Sequence, residues 1–215
     1  MLRSTRVLPI GFPALAVTRA ASSIFSPDRR SRLRDSPRSR QCMTQAASTL
    51  DTLPRGTDLI AALLGRFGLE LACVDDGNPI PGSYWGDPEA GLVGDRLYAK
   101  RETPLHSILH EACHWICMDP IRRERVHTDV GGDDAEENAV CYLQVLLADA
   151  IPGLGRERLF AEMDAWGYSF RLGSTKGWFE QDAEDARLWL SGHGLIDPLG
   201  RPTWRVRQSP RPPYT

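Results

Sequence analysis

The sequence lacks an uninterrupted apolar run of the roughly 20 residues needed to cross a bilayer. It also has little positive charge beyond its first 42 residues, because residues 43–215 hold 17 Lys and Arg against 26 Asp and Glu. Nucleic acids and anionic lipid surfaces are bound by basic surfaces, and the formal charge of this part is −9. We therefore expect a soluble, cytoplasmic protein with neither a membrane nor a nucleic acid as its partner.

A regular cysteine pattern is missing as well. The five cysteines are odd in number and irregularly spaced, whereas small secreted domains have even sets of closely spaced cysteines. We expect reduced thiols in a reducing compartment. Cys113 and Cys117 lie four residues apart, and we interpret them as small apolar residues on a buried helix face rather than as metal ligands.

The two ends of the chain differ in composition from its middle. Residues 1–42 contain nine Arg against two Asp, and a short apolar run follows the basic start. This pattern is typical of a leader that is cleaved on export or organellar import, a disordered segment, or a mis-assigned start before Met43. Five prolines in residues 198–215 predict a Pro-rich tail that is extended or disordered. Residues 43–197 are then expected to form one domain.

Hydrophobic periodicity and capping signals predict more helix than strand. Helices are expected over residues 58–67, 103–118, 133–150, 156–166 and 176–191. Strands are expected over residues 69–74 and 96–100, the second as an edge strand because Leu97 and Ala99 alternate with polar residues. This order predicts an α+β fold in which a small mixed sheet is followed by a mostly helical C-terminal part.

The predicted helix over residues 103–118 contains the pattern His110-Glu111-x-x-His114. Side chains four residues apart lie on the same helix face, so both imidazoles can reach one ion. The flanking residues are uncharged, and burying two His and one Glu costs several kcal/mol unless a metal or hydrogen bonds compensate. We therefore predict that His110 and His114 bind Zn²⁺, with Glu111 as the general base.

The predicted helix over residues 133–150 offers a third ligand. Glu136 begins an apolar face of this helix, and we favour it as the ligand. Glu137 is the alternative, since its face is more mixed and includes Cys141 and Gln144. A competing interpretation is that Asp133 and Glu136 cap the start of the helix.

Other polar residues are weaker candidates. His127 is a possible ligand or a partner of one, although a polar loop is more often only solvated. Tyr142, Tyr168, His127 and His193 are candidate donors to a developing oxyanion, and the sequence does not select among them. His106, one turn before His110, is a candidate partner of the ligands, but a histidine near the start of a helix is more often exposed, and we expect it to be exposed.

These motifs resemble those of the gluzincin metallopeptidases, especially the compact ImmA/IrrE-like ones, over about residues 92–150. The resemblance implies a compact zincin-like domain and a peptidase acting on a protein or peptide. It assigns His110 and His114 as ligands, Glu111 as the general base and Glu136, 22 positions after His114, as the third ligand.

The resemblance also implies that an edge strand near Arg96–Lys100 receives an extended peptide. Cys113 stands where a glycine is usual in this group, and Val140 where Asn or Asp is frequent, so the subfamily and the substrate stay open. The alternative is a catalytically silent zinc-binding module for protein recognition. Glu111 favours chemistry, because a purely structural zinc site needs no carboxylate at that position.

Overall fold

The computed structural model describes residues 56–84, 86, 88–128 and 130–208. The predicted leader, residues 1–42, lies outside them. The helices are α1 (Gly56–Gly65), α2 (Leu105–Cys117), α3 (Pro120–Arg123), α4 (Asp134–Ala148), α5 (Gly155–Trp166), α6 (Thr175–Gln181) and α7 (Glu184–Gly192). The strands are β1 (Glu70–Cys73), β2 (Gly91–Val93) and β3 (Arg96–Ala99). The predicted α+β fold, with a small mixed sheet and a helical C-terminal part, is confirmed for these residues.

The sheet has the order β1-β3-β2, with β1 parallel and β2 antiparallel to the central strand β3. The expectation that residues 96–100 form an edge strand is therefore wrong. Burial of Leu97 and Ala99 shows that one face of β3 packs on the core, but alternation carries no information about which strands lie on either side. The neighbouring strand β2 has only three residues, too few for a periodic signal.

The outer edge of β2 is paired with the segment Val126–Thr128. Leu92 O accepts from Thr128 N at 3.2 Å, and Gly94 N donates to Val126 O at 3.0 Å. A single antiparallel bridge joins Val93 to His127 between these two bonds. The two backbone bonds occupy the position that an added strand would take on β2.

Helices α2 and α4 pack against each other in the middle of the domain. Every residue of α2 except Glu111 is buried. In α4, every residue from Ala139 to the last residue of the helix is buried. A helix that is surrounded on all sides shows no single apolar face in its sequence.

The C-terminal region differs from the prediction in two ways. The single helix expected over residues 176–191 is two helices, α6 and α7, because Asp182 leaves the helical conformation and pairs with Arg171. Within the segment predicted to be a tail, Trp204 and Val206 pack against the core and Arg207 is buried. No helix in the part of the chain that the structure describes is both long and apolar enough to cross a membrane.

Packing of α4 predicts a measurable difference between two leucines. Leu147 is 0% exposed, and Leu147→Ala is expected to lower the free energy of unfolding by about 2–5 kcal/mol, since it removes buried methyl groups and leaves a cavity. The control is Leu188→Ala, because Leu188 on α7 is 50% exposed and its loss should change stability by less than about 0.5 kcal/mol. Urea unfolding of both variants in chelator measures this, and equal changes would contradict the packing described.

Candidate metal centre

Three side chains from α2 and α4 converge on one point: His110, His114 and Glu137. The two Nε2 atoms are 3.1 Å apart. Glu137 Oε1 lies 3.3 Å from His110 Nε2, and Glu137 Oε2 lies 3.5 Å from His114 Nε2. Ligand atoms placed tetrahedrally at about 2.0–2.1 Å from a zinc ion are about 3.3 Å from one another. The group therefore has the donor types and the spacing to hold a metal ion.

The three side chains are removed from water and carry complementary charge. Their exposed fractions are 7% for His110, 4% for His114 and 12% for Glu137. Burial acts to raise the pKa of Glu137, but the adjacent His114 and His110 outweigh it and lower that pKa to about 2. Glu137 is thus ionised, and the two histidines beside it stabilise its charge. A bound cation would take over that role where the histidines are neutral.

Gln144, two turns after Glu137 on α4, orients the ring of His110. Its Oε1 accepts a hydrogen bond from His110 Nδ1 at 3.0 Å, and its Nε2 donates to Met163 Sδ at 2.9 Å. Because Nδ1 donates to this amide oxygen, the Nε2 atom of a neutral His110 directs its lone pair toward His114 and Glu137. This is the tautomer that a metal ligand needs.

Aromatic side chains pack around His106 and His110. The ring centroid of His106 lies 4.9 Å from that of Trp166 and 5.7 Å from that of Tyr168. Tyr168 in turn lies 5.9 Å from His110. The expectation that His106 is exposed is wrong, because the aromatic residues at and after the end of α5 cover the first turn of α2. Tyr168, which is buried, packs beside His110 as part of this wall.

Glu111 is the only residue of α2 that stays partly exposed. Burial raises its pKa to about 7, against the opposing effect of His110, and the charge of Glu137 raises it further. Glu111 directly follows His110 on α2. A carboxyl that titrates near neutral pH can both accept and donate a proton there.

The structure corrects the choice of Glu136 as the third ligand. Its carboxylate is buried and accepts hydrogen bonds from two arginines, and it is not part of the group formed by the two histidines and Glu137. Arg122 Nη1 donates to Oε1 at 2.7 Å and to Oε2 at 2.9 Å. Arg207 Nη1 donates to Oε2 at 3.2 Å. Glu137 therefore occupies the position that the sequence analysis gave to Glu136.

The error has a physical cause. Because α4 is buried on all sides, its most apolar face packs into the hydrophobic core, and its mixed face is the one turned toward α2. Glu137, Cys141 and Gln144 share that mixed face, and each interacts with His110. Polar residues repeated along one face of a buried helix need polar partners, so the mixed face favoured Glu137, but it did not fix the rotation of α4 toward α2.

The remaining candidates lie elsewhere. Asp133 Oδ1 accepts from Glu136 N at 2.8 Å, so the aspartate of the proposed capping pair does cap α4. His127 is exposed beside β2, with its Nδ1 2.8 Å from Thr128 Oγ1. Tyr142 stacks on Phe179 with centroids 4.3 Å apart. Neither His127 nor Tyr142 belongs to the metal-binding group.

Four of the five cysteines lie within the described residues. Cys73, Cys113, Cys117 and Cys141 are free thiols, and the last three are buried. None of them is part of the group formed by the two histidines and Glu137.

Comparison with known proteins gives no match to a family model, a curated protein or a solved structure. The function of this chain is therefore inferred from the geometry of this site.

Proposed function

We propose that the protein is a zinc-dependent hydrolase that cleaves peptide bonds. The observation that carries the proposal is the convergence of His110, His114 and Glu137, with Glu111 beside them on the same helix. Structural zinc sites have four protein ligands, usually rich in cysteine, whereas catalytic sites have three and keep a position open. Two imidazoles and one carboxylate form a set of the catalytic kind.

Each residue of the site has a separate role in the proposed reaction. Zinc, when bound, supplies a Lewis acid that polarises a carbonyl group and makes a water molecule more acidic. Glu111 accepts the proton of the attacking water and passes it to the leaving amine, a role for which its partly exposed position on α2 is suited. Gln144 keeps the ring of His110 in the binding orientation throughout. The peptide substrate rests on the likeness of the motif to those of gluzincin peptidases.

A catalytically silent zinc module is the second candidate, and two observations favour it. The three ligand side chains are at most 12% exposed. The outer edge of β2 is also paired with Val126–Thr128, so it offers no free backbone groups at these positions to an extended peptide. Such a module would bind zinc but would not catalyse hydrolysis.

One experiment separates these functions. The full chain is purified without chelator, its zinc content is measured by elemental analysis, and hydrolysis of an unstructured protein is followed by mass spectrometry. We expect about one zinc per chain, cleavage that stops on removal of the metal, and recovery when zinc is restored. Zinc without cleavage would support the silent module, and absence of zinc would contradict both functions.

A further inference from the structure

The buried carboxylate of Glu136 connects three parts of the chain. Arg122, on α3, donates to both of its oxygens and also binds the carbonyl oxygens of Val130 and Gly131 at 3.0 and 2.7 Å. A Cβ on Gly132 would lie 2.6 Å from Glu136 Cδ, so the chain passes directly over this side chain. The loop before α4 is thus folded around Glu136.

Arg207 links the same carboxylate to the helix that carries the histidines. Its Nη1 donates to Glu136 Oε2 at 3.2 Å and to Cys117 O at 3.3 Å, and its backbone N donates to Ile116 O at 2.9 Å. Ile116 is two residues after His114. One buried arginine therefore contacts both the end of α2 and the first turn of α4.

Arg123 fixes Arg207 in this position. Its Nη2 donates to Arg207 O at 2.8 Å and to Met118 O at 2.6 Å, and its Nε donates to Trp115 O at 3.0 Å. The C-terminal segment is thereby attached to the last turn of α2 by side-chain and backbone bonds together.

We infer that Glu136, held by Arg122 and Arg207, is a positioning residue that sets the distance between Glu137 and the two histidines. The inference rests on the proposed zinc function. Successive residues of a helix point about 100° apart, so fixing Glu136 on one side of the first turn fixes the direction of Glu137. Ligand distances in metal sites lie within about 0.2 Å of their usual values, so a small rotation of α4 is expected to weaken binding.

This arrangement gives the C-terminal segment a part in metal binding. Arg207 lies 70 residues after Glu137 in the sequence, yet it bridges the two helices that supply the ligands. An ion-pair network with only a structural role would stabilise the metal-free fold without changing zinc affinity. A positioning role changes the affinity of the folded protein, and this difference decides the test.

The test measures zinc affinity by competition with a chromogenic chelator, using full-length protein that is folded by circular dichroism when metal-free. Glu136→Gln and Arg207→Lys are each expected to weaken zinc binding by about 10-fold, in line with loss of an outer partner of a ligand. Both should also reduce the rise in melting temperature produced by zinc. The control is Asp182→Asn, which removes a carboxylate paired with Arg171 away from the site and should leave affinity unchanged.

Lower metal-free stability with unchanged zinc affinity in both variants would overturn the inference while leaving the proposed function intact. Absence of zinc from the wild-type chain would overturn the proposed function and the inference together. If Glu136→Gln does not fold, Arg207→Lys, which keeps the positive charge, decides the question.

Discussion

Alanine at His110 or His114 is expected to reduce bound zinc from about one ion per chain to none. Each ring supplies a ligand atom at the centre of the group, and neither has a substitute among the described residues around it. The loss should exceed the 10–100-fold in affinity that removal of an outer partner typically costs, roughly a complete loss at micromolar zinc. Elemental analysis after gel filtration measures it.

The adjacent glutamates provide the matched comparison. Glu137→Ala should abolish zinc binding as the histidine variants do, whereas Glu136→Ala should weaken it without removing the ligand set. The two variants remove the same chemical group at neighbouring positions of one helix. Zinc retained by Glu137→Ala and lost by Glu136→Ala would contradict the assignment of the third ligand.

Glu111→Gln is expected to keep zinc at about one ion per chain and to lower the rate of peptide hydrolysis by at least about 10²–10⁴-fold. Glutamine preserves the shape of the side chain but cannot accept a proton from water. The variant therefore separates metal binding from turnover, and both are measured on the same preparation.

A surface substitution controls for general effects of a lost carboxylate. Glu124, just after α3, is exposed, and Glu124→Gln should change neither zinc content nor rate. Hydrolysis by Glu111→Gln at the wild-type rate would show that Glu111 is not the base.

The local part of the site could be predicted from sequence. The spacing of His110, Glu111 and His114 is a property of a single helix turn, and the uncharged flanks indicated that this helix is buried. The structure places His110 and His114 together on α2 as that spacing requires. No tertiary information was needed for this step.

The contribution of the second helix could not be predicted in the same way. The choice between Glu136 and Glu137 depends on how α4 is rotated toward α2, and that rotation is fixed by Arg122 and Arg207. Arg207 acts from a segment that composition alone assigned to a tail. Contacts between residues so distant in sequence leave no periodic pattern to detect.

The order of the strands in the sheet could not be predicted from sequence either. Alternation of Leu97 and Ala99 identified a strand with one buried face, but the pairing of β3 on both edges depends on β1 and on the short strand β2. Strand order is a property of the assembled sheet rather than of one segment.

Zinc K-edge X-ray absorption of the purified, zinc-loaded chain reports the atoms bound to the ion and so tests the proposed ligand set. We expect a first shell of nitrogen and oxygen at about 2.0–2.2 Å, with imidazole scattering from two histidines and no sulfur. Sulfur at about 2.3 Å would place the ion on the buried cysteines instead, and would contradict a centre made by His110, His114 and Glu137.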